Sequence, residues 1–193
     1  MQQHLDDLNA VIAACEAAPV VVGHDLGALL ALSQRTEPVR AVVALAPLLL
    51  ASQRDGVIPG VSDLRARALM MLRGRLAPPG GWARQAFFGH VAPQPLVDES
   101  ASLAHQLADP SFPFPLGVAA PTLMLAGDED GIAPLASIAK LAQQIGADLH
   151  KSSGHHALPW EDGWQERVTE IHRWLIHTLG DPLLALLDEE EEN

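Results

Sequence analysis

Three polar side chains of this 193-residue chain stand where nucleophilic chemistry would need them. Asp25 lies in "VVVGHDLGALLALS", between Gly23 and Gly27, where an apolar run gives way to a helical pattern. A strand-to-helix turn of the form Gly-x-nucleophile-x-Gly presents one side chain on a sharp corner, with small residues on both sides because the backbone packs too closely for a Cβ. A carboxylate at that corner is a nucleophile or the remnant of one; the plainer reading is a helix-capping anion, favourable by about 0.3–1 kcal/mol. Asp130 and His155 follow two later apolar or mixed runs, "PTLMLAG" and "ADLHKSSG". A nucleophile, an acid and a histidine at three strand ends can converge in space whatever their separation in sequence.

The elements that must carry these residues are legible from periodicity. Leu5, Leu8, Val11, Ile12 and Cys15 recur at helical spacing, so the chain opens with an amphipathic helix that Pro19 ends, with Cys15 as a small core residue on its inner face. "VVVGH" and "VRAVVALAP" are short continuous apolar runs, the pattern of strands buried on both faces, and "LGALLALSQR" between them is a helix. Strand, helix and strand within about thirty residues make a crossover unit with parallel strands. "PTLMLAG" is a further buried strand, a helix follows over roughly Leu135 to Ile145, and "ADLHKSSGHH" is a more polar strand and loop. The last helix covers Asp162 to Leu179, with Trp164, Val168, Ile171, Trp174 and Leu175 as its buried stripe. Between residues 52 and 118 the pattern becomes three helical pieces cut by proline and glycine, without intervening strands. The expected organisation is therefore an α/β core from 1–51 and 119–180, a helical cap at 52–118 and an acidic tail at 181–193.

Composition narrows the function. The net charge of −12 argues against nucleic acid or an anionic membrane surface as partner. A single cysteine excludes an internal disulfide and a cysteine-based zinc site. "MQQHLDDLNA" has no basic region followed by an apolar run, and "VVALAPLLLA", broken by Pro47, is about half the roughly 20 residues a membrane span requires. A cytoplasmic location is expected.

Taken together, "VVVGHDLGA", "PTLMLAGDEDGIAP" and "SSGHHALPWEDGW" resemble the nucleophile elbow, the acid-bearing strand and loop, and the Gly-His loop of the α/β-hydrolase superfamily, in that family's chain order. The resemblance covers essentially the entire chain, with 52–118 in the place of the cap. It implies a parallel sheet of about four strands with flanking helices, like the C-terminal half of that fold. Aspartate rather than serine at the elbow resembles the haloalkane-dehalogenase and epoxide-hydrolase branch. The chemistry implied is attack of Asp25 on an sp³ carbon to give an alkyl ester, then hydrolysis by water activated by His155, itself oriented by Asp130. Asp130 competes with Asp128 and Glu129, and its spacing from Gly127 and Pro134 favours it; His155 competes with His156, and its place directly after Gly154 favours it. Leu26 through its amide, its neighbour His24, and Trp82 in the cap are the expected oxyanion- or substrate-binding residues. No metal or organic cofactor is implied, and the alanine- and leucine-rich cap suits a small apolar substrate.

Three departures from the family pattern carry consequences. The chain has no tyrosine, whereas the epoxide-hydrolase branch protonates the opening ring with cap tyrosines. Leu26 stands where many dehalogenases place a halide-binding tryptophan, which leaves Trp82 as the tryptophan placed to serve. A full member also has several strands ahead of the elbow strand, including a His-Gly loop with a second oxyanion donor, so the sequence is expected to be an N-terminally truncated form or a short module. In that arrangement Val20 to Val22 would line an open sheet edge, inviting a homodimer or a complementing chain. The alternative function is a non-catalytic module that binds or dimerises through this edge.

Overall fold

A computed structural model describes residues 1–34, 38–53, 75–76, 99–100 and 115–181, together with 102, 106, 109 and 111. Four helices and a four-stranded sheet account for most of them. The helices are α1 (Gln2–Ala13), α2 (Leu26–Ala31), α3 (Leu135–Ile145) and α4 (Trp164–Leu179). The strands in chain order are β1 (Val20–His24), β2 (Ala41–Leu45), β3 (Arg75–Leu76), β4 (Glu99–Ser100), β5 (Thr122–Gly127) and β6 (Asp148–Ser152).

β1, β2, β5 and β6 form one all-parallel sheet in the order β1-β2-β5-β6. The period-2 alternation of the two central strands divides the core. Val42 and Ala44 of β2 and Met124 and Ala126 of β5 point to the side of α2 and α3, where they meet Ala28, Leu32, Ile138 and Leu141. Ala41 and Val43, with Leu123 and Leu125, point the other way and are covered by Leu158 and Trp174. Helices on both faces of a parallel sheet explain why β2 and β5 read as unbroken apolar runs. A parallel sheet of four strands flanked by helices is the arrangement expected from the sequence.

The two sheet edges differ from the centre and from each other. β1 shares the apolar pattern but is only half-buried, and its Val22 is 56% exposed because, among the described residues, only β2 pairs with it. β6 at the other edge is polar, as its sequence suggested.

Local expectations fail where the sheet does not reach. In α4, Ile171, Trp174 and Leu175 pack on the core, but Trp164 and Val168 are exposed. The first turns of α4 lie over the polar loop that follows β6 rather than over the sheet, and the residue buried there is Arg167. Cys15 is exposed rather than buried, because α1 has ended at Ala13; Leu5 and Ile12 are the buried positions of that helix. Within 52–118 the described residues include a two-residue antiparallel ladder between β3 and β4, where only helices were expected; Gly74, immediately ahead of β3, is a weak helix former at the point where the helical pattern breaks. The rest of the expected cap and of the acidic tail lies outside the described residues. No described helix is long and apolar enough to cross a membrane.

Candidate active site

Asp25 occupies the corner between β1 and α2 with φ 52° and ψ −116°, a backbone conformation that a residue with a Cβ adopts at a cost of about 1–3 kcal/mol. Backbone contacts hold it there. Its amide donates to the Leu45 carbonyl at 3.2 Å, and its carbonyl accepts from the Leu48 amide at 3.0 Å and the Leu29 amide at 3.1 Å. The crowding that the two glycines suggest is one-sided. A Cβ on Gly23 would run into the Gly27 carbonyl, whereas a Cβ on Gly27 would meet open space. Gly23 is therefore what lets β1 and α2 close into the corner.

The acid comes from the turn after β5. Asp130 is buried, and its Oδ1 accepts the amides of Ile132 and Ala133, both at 2.8 Å, which fixes the carboxylate plane. Its Oδ2 faces the loop after β6. Asp128 instead accepts the Gly154 amide and pairs with Lys151, while Glu129 pairs with a histidine outside the cluster.

That loop supplies the imidazole, and it is His156 rather than the expected His155. His156 is fully buried; its Nδ1 donates to Asp130 Oδ2 at 2.7 Å and its Nε2 lies 3.1 Å from Asp25 Oδ1. His155 turns the other way, with its ring 3.4 Å from Glu129 Oε2 and 3.8 Å from Glu161 Oε2. The reason is the path of the chain. Gly154 has φ 132° and packs closely on Glu161 and Arg167, and the amide of the residue after it is taken by the Glu161 carboxylate. The imidazole that meets the carboxylates comes one position later.

The remaining expected residues stand as follows. The Leu26 amide, next to the Asp25 carboxylate, helps to keep its pKa low. His24 is turned into the loop: its Nε2 donates to the His156 carbonyl at 2.7 Å and its ring sits edge-on to Trp160, 5.0 Å between centroids. Trp82 lies outside the described residues.

Charge in the cluster is strongly coupled. Burial alone would depress the His156 imidazolium, but hydrogen bonds to Asp130 and then Asp25, with both charges, push its pKa up to about 9. Burial raises the Asp25 carboxyl, yet the hydrogen bond and charge of His156 outweigh it and leave the pKa below its ordinary value. Burial pushes His24 down, opposed by its bond to the His156 carbonyl. At neutral pH the cluster is an imidazolium held between two carboxylates, with one carboxylate on a strained corner. Such a set can attack an electrophilic carbon without a prior deprotonation. Among the described residues no group of three or more His, Cys, Asp and Glu side chains is disposed to hold a metal ion.

Behind the loop lies a feature with little outward sign in the sequence. Glu161 and Arg167 are only 6% and 7% exposed. Glu161 accepts the His155 amide with both oxygens, at 2.8 and 3.1 Å. Arg167 donates to Ser152 Oγ, to the carbonyl of Ser153 at 2.6 Å and to that of Leu158 at 2.8 Å. One clue was present: Arg167 stands four and seven residues before Ile171 and Trp174, on the apolar face of α4.

Solved structures share this arrangement of elements. A monoacylglycerol lipase from Paleococcus ferrophilus superposes with a TM-score of 0.58 at 17% identity, over 92% of this chain and 75% of the lipase. Est1E from Butyrivibrio proteoclasticus, solved with ferulic acid bound, gives a TM-score of 0.60 at 14% identity, over 92% of this chain and 68% of its own. Mouse alpha/beta hydrolase domain-containing protein 10 gives 0.58 at 18%, over 91% and 68%. No curated protein matches the sequence significantly. Residues 2–171 match the family model described as the alpha/beta hydrolase family, and by that match, which spans most of its length, the chain belongs to this family.

Proposed function

We propose that the chain is a hydrolase whose nucleophile is Asp25, with His156 as base and Asp130 as its orienting acid. The observation that carries this reading is the position of His156 between the two carboxylates, 3.1 Å from Asp25 and 2.7 Å from Asp130. In the first step an Asp25 carboxylate oxygen attacks an sp³ carbon, the bond to the leaving group breaks, and the leaving group departs with the electron pair. The product is an alkyl ester on Asp25. Esterification removes one of the two negative charges that hold the His156 pKa near 9, so the imidazolium becomes a stronger acid and releases its Nε2 proton to solvent. Neutral His156 then takes a proton from water as the water oxygen attacks the ester carbonyl. The Leu26 amide, next to the carboxylate, is the donor for the resulting oxyanion. Collapse expels the alcohol, which takes that proton back from His156; the Asp25 carboxyl left behind gives its own proton to His156, restoring the carboxylate and the imidazolium.

The substrate class that fits is a small apolar molecule with a halide or similar leaving group. Its support is the alanine- and leucine-rich 52–118 stretch and the lack of tyrosine to protonate an epoxide oxygen. Trp82 is the donor proposed for the leaving group. No cofactor is required by this chemistry, and a cytoplasmic location suits it.

A second reading is favoured by the β1 edge, where Val22 is 56% exposed. In that reading the chain is a non-catalytic module that pairs through β1 with a second copy or with a complementing chain. One experiment separates the two. Intact mass of wild type and His156→Gln is measured after exposure to small haloalkanes, epoxides and esters, with the native mass of the unexposed chain alongside. The first reading expects an adduct on Asp25 that accumulates in the variant. Folded protein that forms no adduct and runs as a dimer favours the second.

A further inference from the structure

We infer that the buried Glu161–Arg167 pair is a register clamp: it decides which of the tandem histidines, His155 or His156, enters the site. The inference extends the carboxylate-ester reading above and rests on it for its kinetic consequence. Its geometry stands apart from that chemistry.

The loop between β6 and α4 carries two adjacent histidines of identical chemistry, so side-chain type cannot choose between them. Backbone placement can. Glu161 takes the His155 amide with both carboxylate oxygens, fixing the peptide that joins Gly154 to His155. His24 donates to the His156 carbonyl at 2.7 Å, fixing the peptide that follows His156. With the peptides at both ends of the histidine pair held, the His156 side chain is directed toward Asp130 and Asp25. Arg167 supports Glu161 from behind: its Nη2 is 3.9 Å from Glu161 Oε2, and the same guanidinium ties down the carbonyls of Ser153 and Leu158 on either side of the histidines. Gly154 completes the clamp, since a Cβ there would overlap the Glu161 carboxylate and press on Arg167 Nη2 at 2.9 Å.

A buried pair of this kind is a poor device for stability alone, because desolvating two charges offsets most of their attraction. It is a good device for geometry. The guanidinium fork has fixed directions, and each of its donors reaches a different part of one loop. Glu161 and Arg167 touch no reacting atom; they are positioning residues.

The test uses the full chain and reads the site without turnover. The proton on His156 Nδ1, in a short hydrogen bond to a buried carboxylate, gives a far-downfield proton resonance. It is assigned by its loss in His156→Gln and its persistence in His155→Gln. Glu161→Ala removes the acceptor for the His155 amide and is expected to abolish this resonance in protein that still melts cooperatively. Glu161→Gln keeps an acceptor oxygen and is expected to retain it. If Glu161→Ala does not fold, Glu161→Asp, shorter by one methylene, replaces it and is expected to lose the resonance that Glu161→Gln keeps. An unchanged resonance in a folded variant that lacks the acceptor overturns the clamp. The kinetic arm measures hydrolysis of the Asp25 ester in single turnover, where Glu161→Ala or its replacement is expected to slow that step by roughly 10- to 100-fold while alkylation changes by less than about 3-fold. Equal slowing of both steps overturns a role confined to His156. Absence of any ester in wild type and every variant sinks the proposed chemistry instead, and the resonance alone then decides the clamp.

Discussion

The corner that carries Asp25 and the loop that carries His156 meet across 3.1 Å, yet they are held by different means. The corner is held by its own backbone. A glycine against a carbonyl, one positive φ and three main-chain hydrogen bonds define it, from residues in β1, α2, the end of β2 and the segment just after it. The loop is held by side chains that come from elsewhere: Glu161 from its far end, Arg167 from α4 and His24 from β1. A corner fixed by backbone tolerates changes of side chain on its surface, while a loop fixed by side chains depends on each of them. On the proposed reading the difference also separates the two chemical steps: the proposed nucleophile is placed mainly by main-chain contacts and the proposed base by side chains.

Substitutions sharpen this contrast, beginning with the largest effect. Asp25→Asn is expected to reduce formation of the alkyl ester by on the order of a thousandfold or more, because the amide oxygen is a far weaker nucleophile. Rapid-quench mass analysis of the adduct measures it, and an adduct formed at an unchanged rate would place the nucleophile elsewhere. The two glycines of the corner come next, with opposite signs. Gly23→Ala forces a Cβ into the Gly27 carbonyl and is expected to destabilise the fold by about 1–3 kcal/mol. Gly27→Ala adds a methyl to open space within α2 and is expected to stabilise by about 0.5–1 kcal/mol, as glycine is a poor helix former. Urea denaturation of the pair decides it; destabilisation of similar size in both would mean that the crowding is mutual.

A further effect is on the pH dependence of stability. The folded pKa of His156 lies above its ordinary 6.5, at about 9, so the folded state binds the proton more tightly than the unfolded chain. Its contribution is complete below about pH 6.5 and is lost as pH rises through about 9. The melting temperature is therefore expected to fall between pH 7 and pH 10. In Asp25→Asn, where one of the two carboxylates that raise this pKa has lost its charge, the fall should end at lower pH and be smaller. A variant profile that overlays the wild type would show that Asp25 does not share the proton.

The same division explains what could be read from the sequence. Alternating positions in β2 and β5, the Gly-x-Asp-x-Gly corner and the extent of α3 are written in residues close to one another, and local periodicity exposes them. His156 was missed because proximity to Gly154 is a local cue, whereas the turn of the chain there depends on Glu161 and Arg167. Trp164 and Val168 were misplaced for a related cause. A helical stripe tells which residues share a face but not how far the sheet beneath them extends. Cys15 fell outside its helix because α1 stops at Ala13, before the proline that marks the boundary in the sequence.

The position of β1 in the sheet has a consequence for motion. Among the described residues β1 has β2 on one side only, and its Val22 faces solvent, while β2 and β5 are almost wholly buried. Local opening free energies follow such differences in burial, so amide protection should decline from the centre of the sheet toward β1. The strand that leads into Asp25 is thus among the first to breathe, and Asp130, in the turn after β5, among the last. Anything that adds a strand beside β1 would stiffen Asp25 without touching it, which makes the sheet edge a lever on the reactivity of a carboxylate at the far end of the same strand.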